Sequence, residues 1–138
     1  MPPWYVGNAS EPCVRLVLED FVKPAQIVYD VGSFTGQLSQ IMSRLVGPRG
    51  LVVAFEANRG VLEQLTANLH KSALFNVFPV HRTVYRETGK YGRSYVPSEN
   101  PAAARLVIQD LPSDDGQAVK TIALDDFVSA TSTSAQRI

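Results

Sequence analysis

Several things are scarce in this 138-residue chain, and each scarcity removes a class of function. A single cysteine, Cys13, excludes an internal disulfide framework. With only His70 and His81 beside it, no spacing of metal-ligand type forms, so no metal is expected. Thirteen Lys+Arg against thirteen Asp+Glu leave a formal net charge of zero. The basic footprint that nucleic acid or an anionic membrane selects is therefore missing. No window approaches the roughly 18 apolar residues of a membrane span, and MPPWYVGNAS lacks both a basic segment and an apolar run. A reducing, cytoplasmic setting is the expectation. The G-x-G-x-x-G fingerprint of dinucleotide sites is absent too.

What is present is a hydrophobic content of 45%, enough for one core in a chain of this size. Ser10-Glu11-Pro12 has the pattern of a helix start, with a hydroxyl cap, an acid and a first-turn proline. That helix runs to about Val22, with Val14, Val17, Leu18 and Phe21 predicted to face inward. Ile27 to Val31 reads as a buried strand. Leu38, Ile41, Met42 and Leu45 stripe a second helix, which ends at Gly47-Pro48 with the glycine in a left-handed cap. LVVAF, Leu51 to Phe55, is a second strand, and Asn58 can cap a third helix carrying Val61, Leu62, Leu65 and Leu69. Asn76 to Val80 fits a third strand, although Pro79 removes a ladder donor. Strands and helices alternating in this way imply right-handed βαβ units and a parallel sheet.

From Thr88 to Arg105 the texture turns rich in Gly, Pro and Ser, and reads as a loop or insertion. Leu106 to Ile108 and Val119 to Leu124 are expected to pair as a hairpin across the turn-like Pro112 to Gly116. Asp125-Asp126 fits the start of a short helix, and the tail SATSTSAQRI, without periodicity, is expected to fray. Three segments follow: residues 1–9, a binding half at 10–88, and a loop, hairpin and tail at 89–138. Cys13 is expected to be packed, and His70 and His81 to be surface or partly packed histidines.

The chemistry concentrates in Ile27 to Ser39, IVYDVGSFTGQLS. Here a strand ends on Asp30, a turn carries Gly32 and Gly36, and a helix follows at once. Ligands in doubly wound sheets bind outside the carboxyl ends of the strands, so Asp30, the turn and Glu56 should face one crevice. A carboxylate at Glu56, one βαβ repeat later, suits the two hydroxyls of a ribose. The acid before the turn disfavours a pyrophosphate and favours a ligand with an ammonium group. A dinucleotide oxidoreductase is accordingly the weakest reading.

DVGSFTGQLS, then VGPRGLVVAFEAN, NVFPV and TIALDDF, is similar to the FkbM-type group of class I S-adenosylmethionine-dependent methyltransferases, over roughly Glu11 to Phe127. The resemblance implies a Rossmann-like three-layer αβα fold with a mainly parallel sheet, here incomplete at about three βα units plus a hairpin-like extension. It implies S-adenosyl-L-methionine as cofactor, with Asp30, Gly32, Ser33, Phe34 and Gly36 around its amino acid part. Glu56, flanked by Ala57 and Asn58, would hold the ribose, and Arg82 to Val84 would lie near the adenine. It further implies O-methylation of a small molecule or sugar.

Two departures bear on this. Ala57 stands where the family commonly has proline, and His81 to Arg86 replaces small residues and an acid. The residues after the third strand are too few for four further strands with helices, since one βαβ unit needs about 30. The expectation is an amino-terminal, cofactor-binding part that binds the methyl donor without turning it over. Its general base is unidentified, and its open sheet edge is covered by a copy of itself or by another partner. A non-catalytic nucleotide-binding or interaction module is the alternative.

Overall fold

Leu51–Phe55 (β2) is an almost wholly apolar strand, and every residue after Leu51 is buried, as the central strand of a parallel sheet covered by helices requires. A computed structural model describes residues 12–95, 99 and 105–135. In it β2 lies between Ile27–Val31 (β1) and Val77–Val80 (β3), all parallel, with Val31 opposite Phe55 and Phe55 opposite Val80. Pro12–Phe21 (α1), Gln37–Val46 (α2) and Arg59–Lys71 (α3) supply the helices. The chain divides into two units, Met1–Phe55 with Gly60–Val80, and Glu56–Arg59 with His81–Ile138.

The core of the first unit follows the predicted periodicity at Leu38, Met42, Leu45, Leu62, Leu65 and Leu69, while Ile41 and Val61 stay outside it. β1, read as a buried strand, is buried only at Asp30, with Ile27 and Val31 exposed because it is an outer strand. Met42 and Val46 of α2 and Leu65 and Leu69 of α3 meet Val52, Ala54 and Val77, with Val28, Leu38, Leu45 and Leu62 packed around them. Gly47 closes α2 as expected, but with φ +67 and ψ −170 it is extended beyond the left-handed helical cap, and its N–H donates to Ser43 O. Asn76, expected to open the third strand, instead caps that helix end. Its Nδ2 donates to Ser43 O and Gly47 O at 2.9 and 2.8 Å, and its Oδ1 accepts from Ser43 Oγ. Carbonyls left over at a helix end thus find a partner from a distant segment.

Pro79 does sit inside β3. Val52 N donates to Asn76 O, and in the alternation of a parallel ladder this turns the amide nitrogens of residues 77 and 79 away from β2. The proline therefore costs the ladder nothing, because β3 is an outer strand.

α1 differs from expectation. Leu18 and the following Val22 pack on the core, but Val14, Val17 and Phe21 are exposed, Phe21 by 77%. Among the described elements α1 packs chiefly on α2, so its inward stripe is narrow. Cys13 is likewise exposed, not packed. The predicted cap, Ser10 and Glu11, lies outside the described residues.

The second unit departs most. Tyr91–Tyr95, read as loop, is a strand (β5). It pairs antiparallel with Arg105–Gln109 (β6) and with Val119–Ile122 (β7), while β7 runs parallel to the short Thr83–Val84 (β4), giving the order β4-β7-β5-β6. The expected pairing of Leu106 to Ile108 with Val119 to Leu124 does not occur, since β5 lies between them. Within β5, Gly92 lies against Thr83, whose Cγ2 and Oγ1 would stand 2.6 and 2.8 Å from a Cβ there, so this position admits only glycine without a shift. The remaining loop residues of that stretch, 96–98 and 100–104, lie outside the described residues.

The tail, expected to fray, is helical through Leu124–Ala135 (α4), and its last residues, 136–138, lie outside the described residues. Asp125 and Asp126 occupy its first turn, where the helix dipole favours acids. Thr88 Oγ1 accepts from Ala123 N and donates to the Asp126 carboxylate. Thr131 turns its hydroxyl back to Phe127 O, so this polar residue needs no outside partner. Among the described residues no helix is long and apolar enough to cross a membrane.

Candidate functional site

The carboxyl end of β1 is where the sequence places chemistry, and the first unit brings Asp30, Gly32, Ser33, Phe34 and Gly36 together there. Asp30 is 8% exposed, and its Oδ2 accepts a 2.5 Å hydrogen bond from Ser39 Oγ in the first turn of α2. Ser39 was not among the expected site residues; as a hydroxyl in the first turn after the glycine bend, it carried only a weak local signal. The bond fixes the carboxylate against the start of a helix that has no side-chain cap of its own.

The turn is fastened on both sides. Gly32 N and Ser33 N both donate to Phe55 O at 3.0 Å, and Ser33 Oγ donates to the same carbonyl at 3.2 Å. These amides therefore stitch β1 to β2, and buried Ser33 is part of the frame. Farther on, Gly36 N donates to Ser33 O, and Asn68 Nδ2 of α3 donates to Thr35 O. A Cβ on Gly36 would stand 2.4 Å from Leu65 Cδ1, so α3 approaches the turn as closely as glycine allows. No pattern local to the turn announces Asn68 or Leu65, which reach it from another element.

Gly32 is different. It has φ +75 and nothing within 4 Å of where its Cβ would be, which leaves room for a ligand against the backbone. Phe34 also adopts a left-handed conformation, φ +51, and is 62% exposed at the apex of the turn. Together these features fit the amino acid end of S-adenosyl-L-methionine. A buried carboxylate suits an ammonium, an open glycine permits close approach, and the start of α2 offers backbone N–H groups to a carboxylate.

Glu56, Ala57 and Asn58 belong to the second unit and directly follow β2 in the chain. Glu56 Oε1 accepts from Asn58 N at 2.8 Å, holding the entry to α3. His81 Nε2 lies 3.0 Å from Ala57 O, the partly packed role expected of it. His70 is exposed in the last turn of α3. Arg93 is committed to Asp115, with Nη2 to Oδ2 at 2.6 Å. Among the described residues no group of three or more His, Cys, Asp or Glu could hold a metal ion.

Comparison with known proteins adds the following. The family described as Protein-L-isoaspartate(D-aspartate) O-methyltransferase (PCMT) matches residues 9–113. A protein-L-isoaspartate O-methyltransferase of Triticum aestivum is 33% identical over 78 residues, which is 53% of this chain and 34% of that protein. The chain thus spans about a third of this relative's length. A solved protein-L-isoaspartate O-methyltransferase shares 31% identity over 50% of this chain and 22% of its own, with a TM-score of 0.47. A structure from Clostridium thermocellum described as an rRNA-methylase superposes with a TM-score of 0.50 at 22% identity, covering 51% of this chain and 40% of its own. That last likeness, with the parallel sheet, shows a partial Rossmann-like fold.

Proposed function

The chain belongs to the protein-L-isoaspartate(D-aspartate) O-methyltransferase family, and from this premise we propose that it is the methyl-donor-binding part of an S-adenosyl-L-methionine-dependent O-methyltransferase. The observation that carries this reading is Asp30, buried at the end of β1 and braced by Ser39 beside an open Gly32. When bound, the cofactor supplies an electrophilic methyl group on a sulfonium. The chain's own residues bind and orient. Asp30 takes the ammonium, the first amides of α2 take the carboxylate, and Gly32 lets the ligand lie against the backbone. Glu56, at the end of the adjacent strand in sequence, is proposed for the ribose hydroxyls. Holding the donor in one orientation is the main service such a half-site offers to a displacement reaction.

For the acceptor, the family description favours the carboxylate of an isoaspartyl residue. A second reading, a small-molecule or sugar hydroxyl as in the FkbM-type group, is supported by TIALDDF. That segment forms the end of β7 and the start of α4 and lies beyond the matched residues. By itself the 138-residue chain is proposed to hold donor without transferring its methyl, because it spans a third of a related enzyme.

Calorimetric titration tests the donor site. Asp30→Asn keeps an acceptor for Ser39 but removes the charge. It is expected to leave the fold intact and weaken S-adenosyl-L-methionine binding by about tenfold or more, the usual worth of a hydrogen bond to a charged group. Unchanged affinity would remove Asp30 from the site. Isoaspartyl peptide and free sugars, each added to the donor-loaded chain in the same titration, separate the two acceptor readings.

A further inference from the structure

We infer that one face of the second unit's sheet, carrying Tyr91, Arg93, Tyr95, Arg105 and Lys120, docks a single strand of nucleic acid, with bases stacked on the tyrosines and phosphates held by the cations. This surface lies wholly within the second unit and does not rest on the donor-binding reading. It follows from register. Tyr91, Arg93 and Tyr95 alternate with Gly92 and Ser94 along β5, so their side chains leave the same face. In β6, Gln109, Val107 and Arg105 stand opposite those three, and in β7 Lys120 stands opposite Tyr91. The other face is the inward one, where Gly92, Val119 and Thr121 are buried and Gly92 lies against Thr83. On the outward face Arg93, Tyr95, Arg105, Val107 and Lys120 are all exposed, Tyr95 by 62%.

The make-up of this face selects its partner. β5, β6 and β7 contain three cations, two aromatic residues and no acid, and all of these cations and rings lie on the one side. A face that needed only to stay wet would mix charges of both signs. The chain's zero net charge conceals the patch, because the balancing acids lie outside these strands. Diagonal neighbours on adjacent strands stand about 7–8 Å apart, and the register sets Lys120, Arg93 and Arg105 on one such diagonal across β7, β5 and β6. A row of cations at even steps matches a chain of phosphates. Asp115, from the turn before β7, accepts from Arg93 Nη2 at 2.6 Å, so three cations less this one acid leave the face two net positive charges. Tyr91 and Tyr95 stand on either side of Arg93 along β5. The electron-rich face of a tyrosine ring stacks on any base but repels a carboxylate, which favours nucleic acid over an acidic peptide. Only unpaired bases expose their own faces, which favours a single strand over a duplex.

Fluorescence anisotropy of the full 138-residue chain with a labelled oligodeoxythymidylate tests this. Binding is expected, with log affinity falling against log salt at a slope of about −1.4 to −2, the value for two or three phosphates contacted on a single strand. Tyr95→Ala should weaken it by about fivefold or more, the least that a lost base stack is worth, while Tyr95→Phe keeps the ring and the affinity. Lys120→Gln should make the salt slope shallower by about 0.7. No binding by the native chain would overturn the proposal, as would affinity unmoved in Tyr95→Ala or a duplex of equal length bound as tightly. Polyglutamate bound as tightly as the oligonucleotide would assign the face to acidic peptides and overturn it too. Tyr95 and Lys120 are exposed, so thermal unfolding should find each variant folded, with melting temperatures agreeing within a few degrees.

Discussion

Two glycines four residues apart in one motif have opposite reasons to be glycine. Gly32 and Gly36 both have positive φ, but only Gly36 lacks space, with Leu65 where its Cβ would go. Gly36→Ala is therefore expected to lose about 3 kcal/mol or more in denaturant unfolding, since conformational strain and overpacking add. Gly32→Ala meets strain alone and is expected to lose about 1–2 kcal/mol. Its larger effect should be on calorimetric affinity for S-adenosyl-L-methionine, because its methyl group enters the open space. Thr83 makes a converse case. It is 4% exposed, and among the described residues its Oγ1 is the buried side-chain oxygen with no hydrogen-bond partner. Thr83→Val keeps the shape that fits Gly92 and removes the desolvated hydroxyl, so it should raise unfolding stability by about 1 kcal/mol.

At the scale of elements, the turn between β6 and β7 carries a pH dependence. Asp115 is held below its ordinary value of 3.8 by a hydrogen bond with Ser113, by Gln117 N–H donating to its Oδ1, and by Arg93. A carboxylate whose folded pKa is depressed stabilises above its ordinary value and loses that contribution as pH falls through the folded one. The Gln117 amide should therefore lose hydrogen-exchange protection as pH drops below about 3.8, and Asp115→Asn should abolish that step. The same element scale shows what could be read in advance. β1, α2, β2, α3 and β3 follow from apolar period because their contacts are made by neighbours in a βαβ chain. β5 does not, since YGRSY has no alternation and its partners β6 and β7 come from farther along the chain. α4 was legible at its start, Asp125-Asp126, but not in its length. Its Ser and Thr residues have no apolar rhythm, and its start is secured by Thr88 from far upstream. At the site, Asp30 and the glycines were legible as a motif. The partners that make them rigid, Ser39, Asn68 and Leu65, required the folded chain.

For the molecule as a whole, the family match covers most of the first unit and the β5–β6 pair, while the wheat relative is about three times as long as what it shares with this chain. Donor binding is the property proposed for the stretch they share. One consequence concerns what this chain does in a crowd of its own copies. β3 is an outer strand flanked by exposed Phe75 and Phe78, a surface that attracts other apolar surfaces. Pro79 removes the outward N–H at its middle, so an approaching strand finds side chains to touch but no continuous ladder to extend. Pro79→Val should change stability by no more than about 0.5 kcal/mol, yet shorten the lag before light scattering rises on concentration. A single imino acid at this rim is thus expected to keep such encounters brief, so that crowding yields collisions in place of fibres.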